Sequence, residues 1–418
     1  MSSRAAEAGG LPARTAAAVV LPFAFAYFLS YVYRSVNAVI SPDLIAEFGL
    51  TPADLGLLTS AYFLAFAACQ IPVGILLDRF GPRRVNAGLM LVASLGALVF
   101  SLGHGFASLA AGRALIGLGA SAGLMSSIKV FTLWFPLERL PATTGRMLFI
   151  GGLGAMAATM PVEWALRVTD WRGVFRVAGV LTFAAALALF LVVPERDARR
   201  RETWAEQLAA VGKVYRAPVF WRVAAASALF QGINMAVQGL WAGPWLADVA
   251  GLGRDAVAGH LLALAAATMI GFLGWGQAAY ALARRGVGTL RVFQVGTALF
   301  ILVQLMLALG VTAGAGALWV AFGLFGTASS LTFTILSHAF PVTMTGRANT
   351  ALNLLVFLSA FGFQWLFGAI VGLWPAQAGH YHPDGYRAAF ALLVAVQIAA
   401  FLWIAAGART LKPAPALS

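Results

Sequence analysis

Apolar residues in this chain fall in long, nearly unbroken runs rather than at alternating or three-to-four-residue spacing. A run of about 20 such residues is enough to cross a hydrocarbon layer roughly 30 Å thick. Lipid offers the backbone no hydrogen-bond partners, so runs of this length predict helices rather than strands. Reading them between charges and Pro/Gly breaks predicts twelve spans, over 16–41, 54–77, 85–103, 108–134, 146–167, 173–193, 220–247, 257–282, 290–311, 315–339, 349–374 and 387–407. Composition agrees: 61% of the 418 residues are hydrophobic and 10% charged, against about 25% charged in soluble domains. The expected fold class is all-α integral membrane with twelve transmembrane helices.

An even number of spans places both termini on one side, and the basic residues say which. Arg79, Arg83, Arg84, Arg139, Arg146, Arg199, Arg200, Arg201, Arg284, Arg285 and Arg291 lie on the side of the termini. The opposite loops and their edges hold Arg167, Arg172, Arg176, Arg254 and Arg387. The positive-inside rule then predicts cytoplasmic termini. This distribution also accounts for the net charge of +13 without a nucleic-acid partner, since no basic, aromatic-interleaved stripe is present. Arginine far outnumbers lysine and alanine is frequent, a composition that suggests a GC-rich bacterial genome and hence a bacterial inner membrane. The single cysteine, Cys69, excludes an intrachain disulfide and a cysteine-based metal site. Residues 16–41 are too long for the core of a signal peptide and read as span 1.

One charged connection is long. Residues 194–219 fall between spans 6 and 7, and Trp204, Leu208, Val211 and Val214 recur there at three- or four-residue steps, predicting an amphipathic helix at the membrane surface. It divides the chain into an N-terminal six-helix half, 1–193, and a C-terminal six-helix half, 220–418. The halves repeat. Arg79 and Arg284, Gly81 and Gly286, and Phe135-Pro136 and Phe340-Pro341 share an offset of 205 residues. Trp171-Arg172-x-x-Phe175 before span 6 answers Tyr386-Arg387-x-x-Phe390 before span 12, and Ala283 stands where the second copy would carry the counterpart of Asp78.

The loop between spans 2 and 3, Gly74-Ile-Leu-Leu-Asp78-Arg79-Phe-Gly81-Pro-Arg83-Arg84-Val, resembles the G-x-L-a-D-r-x-G-r-r loop of the major facilitator superfamily. With the weaker 8–9 echo, Arg113 in the Arg-Ala-Leu-Ile-Gly-Leu-Gly-Ala opening of span 4, and the Trp-Arg-x-x-Phe signature, the resemblance covers the whole chain. It implies two six-helix pseudo-repeats related by an axis along the membrane normal, which rock about a central site to give alternating access. It also implies gating roles for Gly74, Asp78, Arg79, Gly81, Arg83, Arg84 and Arg113. Asp78 would pair with basic groups and cap a helix end, while Gly74 and Gly81 would permit close helix approach and a tight turn. The arginines serve equally as topology anchors.

Fold alone names no cargo, so the site must come from polar groups at membrane depth, which are costly and by default functional. Arg34 lies deep in span 1, within Tyr31-Val-Tyr33-Arg34-Ser-Val-Asn37, and Lys129 in the later part of span 4. Two cations without an equally deep carboxylate predict an anionic solute, with arginine the better hook for a carboxylate; snorkelling is the competing account of Lys129. The segment is similar to the span-1 Y-x-x-R-x-N pattern of organic-anion and organophosphate branches. Those antiporters of organophosphates carry a second arginine in span 7, where this chain has Gly239 at offset 205 from Arg34. Span 7 offers instead Asn234, Gln238 and Trp241, expected on one helical face. Glu163 is expected to pair with Arg167 on its own helix, with Asp43 the other acid near the outer vestibule, and His338 to be interfacial.

Other classes fit less well. No Ser/His/Asp set, HExxH motif or catalytic carboxylate pair appears, so the chain is not expected to be an enzyme, and no cofactor or metal is called for. Span 5 lacks the Gly-Pro signature usual in proton-driven drug exporters. A non-transporting sensor of the same fold would differ by binding solute without moving it. The expected activity is therefore proton-coupled import of a small organic anion by a monomer, with Arg34, Tyr31, Tyr33, Asn37, Lys129, Asn234, Gln238 and Trp241 at the site.

Overall fold

A computed structural model describes residues 12–136, 139–196, 204–376 and 380–407; Arg199, Arg200 and Arg201 lie outside them. Twelve of its helices are long and apolar enough to cross a membrane: Arg14–Ser35, Pro52–Phe80, Pro82–Ser101, Phe106–Trp134, Ala142–Leu166, Trp171–Val192, Pro218–Asp248, Arg254–Ala283, Thr289–Ala308, Ala315–Ala339, Met344–Val371 and Pro383–Ala406. They are spans 1 to 12. Residue chemistry sets several of their ends. Thr51 caps span 2 by accepting from the Asp54 amide while the Asp54 carboxylate accepts from the Thr51 amide, a reciprocal satisfaction of donors that the helix start leaves free. Pro52, Pro82, Pro218 and Pro383 occupy first turns, where the missing N–H has no partner to lose.

The two six-helix halves repeat in backbone as well as in sequence. Gly81 and Gly286, the glycines 205 positions apart, both have φ 79°, a conformation that other residues rarely adopt. Phe135 and Phe340 end their helices in the same extended conformation, φ −114° ψ 147° and φ −121° ψ 151°. The paired ring donors match too. Trp171 Nε1 donates to Glu47 at 2.9 Å, and the Tyr386 hydroxyl donates to Asp248 at 2.6 Å.

Regular helix fails in spans 1, 4, 7 and 10, and in span 5 between Ala157 and Met160. Span 1 breaks at Val36 and resumes as Asn37–Phe48; span 4 breaks between Ala120 and Gly123; span 7 contains a π-turn, Val237–Trp241; span 10 contains a 3₁₀ turn, Thr327–Ser330. Irregular backbone at membrane depth is tolerated only where protein or a water-filled cavity satisfies it. The apolar pattern runs on through Val39 and Ile40, so the run predicted for span 1 continued past this break.

Spans 2 and 11 form the most extensive contact between the halves. Gln70 faces Asn353, whose Nδ2 donates to Gln70 Oε1 at 2.8 Å, and the Phe66 and Phe357 rings stack at 3.9 Å. At the face opposite the termini, hereafter the distal face, the halves are pressed together. A Cβ on Gly243 would lie 2.1 Å from the Ala38 carbonyl oxygen, and one on Gly368 2.2 Å from that of Pro52. The ion pairs joining the halves among the described residues are here as well: Arg254 with Asp43 and Glu163, and Arg167 with Asp255. The distal face is closed. On the terminal face a helix, Trp204–Arg216, rests on spans 7 and 11 with Val214 buried and the Tyr215 hydroxyl donating to Ala351 O at 3.2 Å.

Candidate functional site

Arg34 stands two residues before the break in span 1, where spans 2 and 11 meet it. Its guanidinium carbon is 4.5 Å from the centroid of the Tyr31 ring, 5.2 Å from Phe357 and 5.6 Å from Phe66. The phenols of Tyr62, Tyr31 and Tyr27 are within its electrostatic reach. Among the described residues no carboxylate forms an ion pair with it, and its Nε is buried without a hydrogen-bond partner. A cation–π contact contributes about 0.5–2 kcal/mol, whereas desolvating an ion costs several kcal/mol. Three aromatic faces therefore soften but do not cancel the cost. A guest with an acid group would supply the counter-charge.

Lys129 does not share this pocket. It pairs with Asp78, on the unbroken helix Pro52–Phe80, twelve residues and so about 18 Å beyond Phe66. Pairing with an available carboxylate is cheaper than holding two like charges unpaired, and the expected two-cation cavity is not formed. Around this pair, Arg83 Nε donates to Phe190 O at 2.9 Å, Arg84 pairs with Glu195 at 2.6 Å, and Arg79 lies over the Phe80 ring at 5.2 Å. Asp78, Lys129, Arg83, Glu195, Arg196 and Trp134 line a charged cleft at the terminal face. Gly81 makes the expected tight turn. Gly74 does not make the expected close approach, since a Cβ there would meet nothing within 4 Å.

Arg113 is apart from this loop. It is 1% exposed, its Nη1 donates to Tyr33 O at 2.8 Å, and its guanidinium lies 5.3 Å from the Tyr62 ring. It is a strut inside the first half, two turns from the distal start of span 4. Tyr33 is likewise turned into that half, its hydroxyl 2.9 Å from Thr182 Oγ1. Asn37 is buried beneath span 2, with Nδ2 donating to Thr59 Oγ1 at 2.9 Å. Of the span-1 candidates, the structure brings Tyr31 to Arg34 and holds Tyr33 and Asn37 in packing.

Asn234, Gln238 and Trp241 do not share a face. The π-turn widens the helix between them, and each meets a different neighbour. Asn234 abuts Gly326 of span 10, Gln238 Nε2 donates to Thr268 of span 8 at 3.0 Å, and the fully buried Trp241 donates to Gln364 O of span 11 at 2.9 Å. A periodicity of 3.6 residues carries no warning of such a turn. π-turns are frequent at functional sites, and at the middle of this one Gly239 faces the Arg34 carbonyl oxygen.

At the distal face, Glu163 bonds to Arg254 of the second half, at 3.2 and 3.4 Å, rather than to its helical neighbour Arg167. Arg254 also holds Asp43 through two bonds, 2.7 and 2.9 Å, while Arg167 takes Asp255 at 2.6 Å. Sequence reasoning missed Arg254 as a bridge, and missed Phe66, Phe357 and Gln364 around Arg34. Asn353, Phe357 and Gln364 sit four and seven residues apart on span 11. Uncharged amides at membrane depth were a usable signal, but nothing local pointed across 300 residues.

Residues 23–363 match the model of the Major Facilitator Superfamily. The chain is similar to a probable sulfoacetate transporter of Cupriavidus necator, at 27% identity over 44% of this chain and 43% of that protein. It is also similar to a probable L-galactonate transporter of Escherichia coli, at 28% over 41% and 38%, and to the hexuronate transporter of that organism, at 23% over 47% and 49%. The match thus spans less than half the length of these curated relatives. Among solved structures, a bacterial homologue of the human lysosomal transporter Spinster, inward-facing and unoccupied, has a TM-score of 0.78 with 18% identity over 98% of this chain and 100% of that one. A D-xylose–proton symporter has a TM-score of 0.75 with 15% identity over 93% and 97%. These likenesses establish the fold.

Proposed function

Because this chain belongs to the major facilitator superfamily, we propose that it is a secondary transporter carrying a small organic acid across a bacterial inner membrane by alternating access. The observation that carries this reading is Arg34, a cation at membrane depth set among aromatic rings and unmatched by any described carboxylate. The relatives described as moving sulfoacetate, L-galactonate and hexuronates, all acids, support it. In this reading Arg34 neutralises the guest and Tyr31 flanks it, with Gln238 and Asn234 reached from the second half. Tyr33, Asn37 and Trp241 hold the pocket's shape, and Lys129 and Asp78 act at the terminal face with Arg79, Gly81, Arg83 and Arg84.

The moving units are residues 1–193 and 220–418, joined by 194–219, and the terminal face is cytoplasmic, so the closed distal face makes this the inward-facing state. Import is coupled to protons and the transporter works as a monomer.

Reconstituted vesicles test the reading. Labelled sulfoacetate, galactonate or hexuronate accumulates when the outside is acid, a protonophore abolishes the accumulation, and Arg34→Ala removes it while Arg34→Lys retains part. Stabilisation of the purified protein by amines alone, with Arg34→Ala indifferent to every acid, overturns it.

A further inference from the structure

Gln364 is fully buried, and neither its Nε2 nor its Oε1 has a hydrogen-bond partner. Buried amides are almost always paired, and an unpaired one is costly. Its place explains what it is for. Span 11 turns one face toward the first half. Asn353 meets Gln70, Phe357 meets Phe66 and Arg34, and one turn beyond Gln364, Gly368 meets Pro52. Gln364 lies on the same face between the arginine and the distal closure. A Cβ on Gly239 would be 3.8 Å from Gln364 Oε1, 3.6 Å from the Arg34 carbonyl oxygen and 3.8 Å from Phe63 Cζ. The amide therefore sits at the junction of spans 1, 2, 7 and 11, on the seam that parts when the distal face opens.

The geometry points to Gln364 as a specificity-determining residue that pairs with a hydroxyl group on the anion Arg34 holds, so that the cargo is a hydroxylated acid. A hydroxyl donates and accepts, and so satisfies both orphaned atoms of the amide. A second carboxylate would satisfy Nε2 but repel Oε1, and an alkyl chain would satisfy neither. Opening the seam admits a guest to the amide and the guanidinium together. The inference rests on the anion reading of Arg34.

Thermal unfolding of the full chain with matched ligands tests it: galactonate against hexanoate, and lactate against propionate. Wild-type protein prefers the hydroxylated member of a pair by about tenfold or more, the range of a lost partner to a buried polar group. Gln364→Leu abolishes that ratio by weakening the hydroxylated acid alone. It leaves the ligand-free protein at least as stable, because an unpaired polar group has been removed; Gln364→Asn retains part of the preference. Arg34→Ala weakens both members of each pair equally, so failure of the anion reading shows as indifference to this change, separate from the ratio. Should the leucine variant not fold, the near-isosteric Gln364→Met gives the same readout. A wild type that binds no hydroxylated acid better than its counterpart, or a variant in which the ratio persists or both members weaken together, overturns the assignment.

Discussion

Replacing Arg254 with alanine should open the distal face. The guanidinium reaches from the second half to two carboxylates of the first, and these bonds exist only while the halves are closed there. The Asp43 pair is partly solvated, with side chains 44% and 30% exposed, so its worth is that of a surface pair, about 1 kcal/mol or less. Glu163 is 9% exposed, and losing charged hydrogen bonds at such a site costs about 1.5–3 kcal/mol. The closed state should therefore lose roughly 2–4 kcal/mol relative to the open one, a change of about 30- to 900-fold in their ratio. Spin labels on Val168→Cys and Leu373→Cys, which are 88% and 75% exposed at distal ends of opposite halves, report it in a Cys69→Ala background. Pulsed dipolar spectra should gain a longer-distance population in Arg254→Ala. Glu163→Gln added to Arg254→Ala should partly restore the closed population, because it removes a buried carboxylate left without its cation. An unchanged distance distribution would refute the reasoning.

Gly243→Ala should act on the same equilibrium by another route: its methyl must push away the Ala38 carbonyl, 2.1 Å off, at about 1–3 kcal/mol, read as a lower melting temperature and a longer label distance. Lys129→Met should lower the melting temperature, because it removes a charged hydrogen bond to Asp78; an unchanged melting temperature would contradict the pairing. Glu47, exposed in the last turn of Asn37–Phe48 at the distal face, has its pKa lowered by the Arg172 hydrogen bond, helped by that of Trp171. A lowered pKa stabilises the fold above the usual carboxylate range, and the gain disappears as pH falls through the lowered value. The Glu47→Gln deficit in melting temperature should accordingly be present at neutral pH and vanish in acid.

The architecture was legible because its causes are local in sequence. Hydrocarbon thickness fixes the length of each run, and twin markers such as Gly81 and Gly286 expose the repeat. The fate of the polar residues was not legible. Lys129 reads as a pocket cation until Asp78, 51 residues away, is seen to claim it. Glu163 has a suitable partner four positions on and takes one 91 positions on, because the closing of the halves, not helix geometry, decides which charges meet. Asn234, Gln238 and Trp241 share a face only on a regular helix, and hydropathy is blind to a π-turn. Arg34 stood out as a cation deep in span 1, but only the structure separates it from Arg113, which lies at the same level and donates to Tyr33 O.

The charged ties between the halves form a belt on one side of the molecule, which has an asymmetric corollary. Mobile ions weaken attraction between solvated charges over a distance of about 8 Å at physiological strength and about 3 Å at 1 M. Electrolyte added to the bath touching that belt should loosen the clasp, while among the described residues the same addition to the opposite compartment reaches no comparable tie. Sealed vesicles of known orientation would then respond to salinity from a single side, and the carrier would sense the brine around the cell as well as the solute in it.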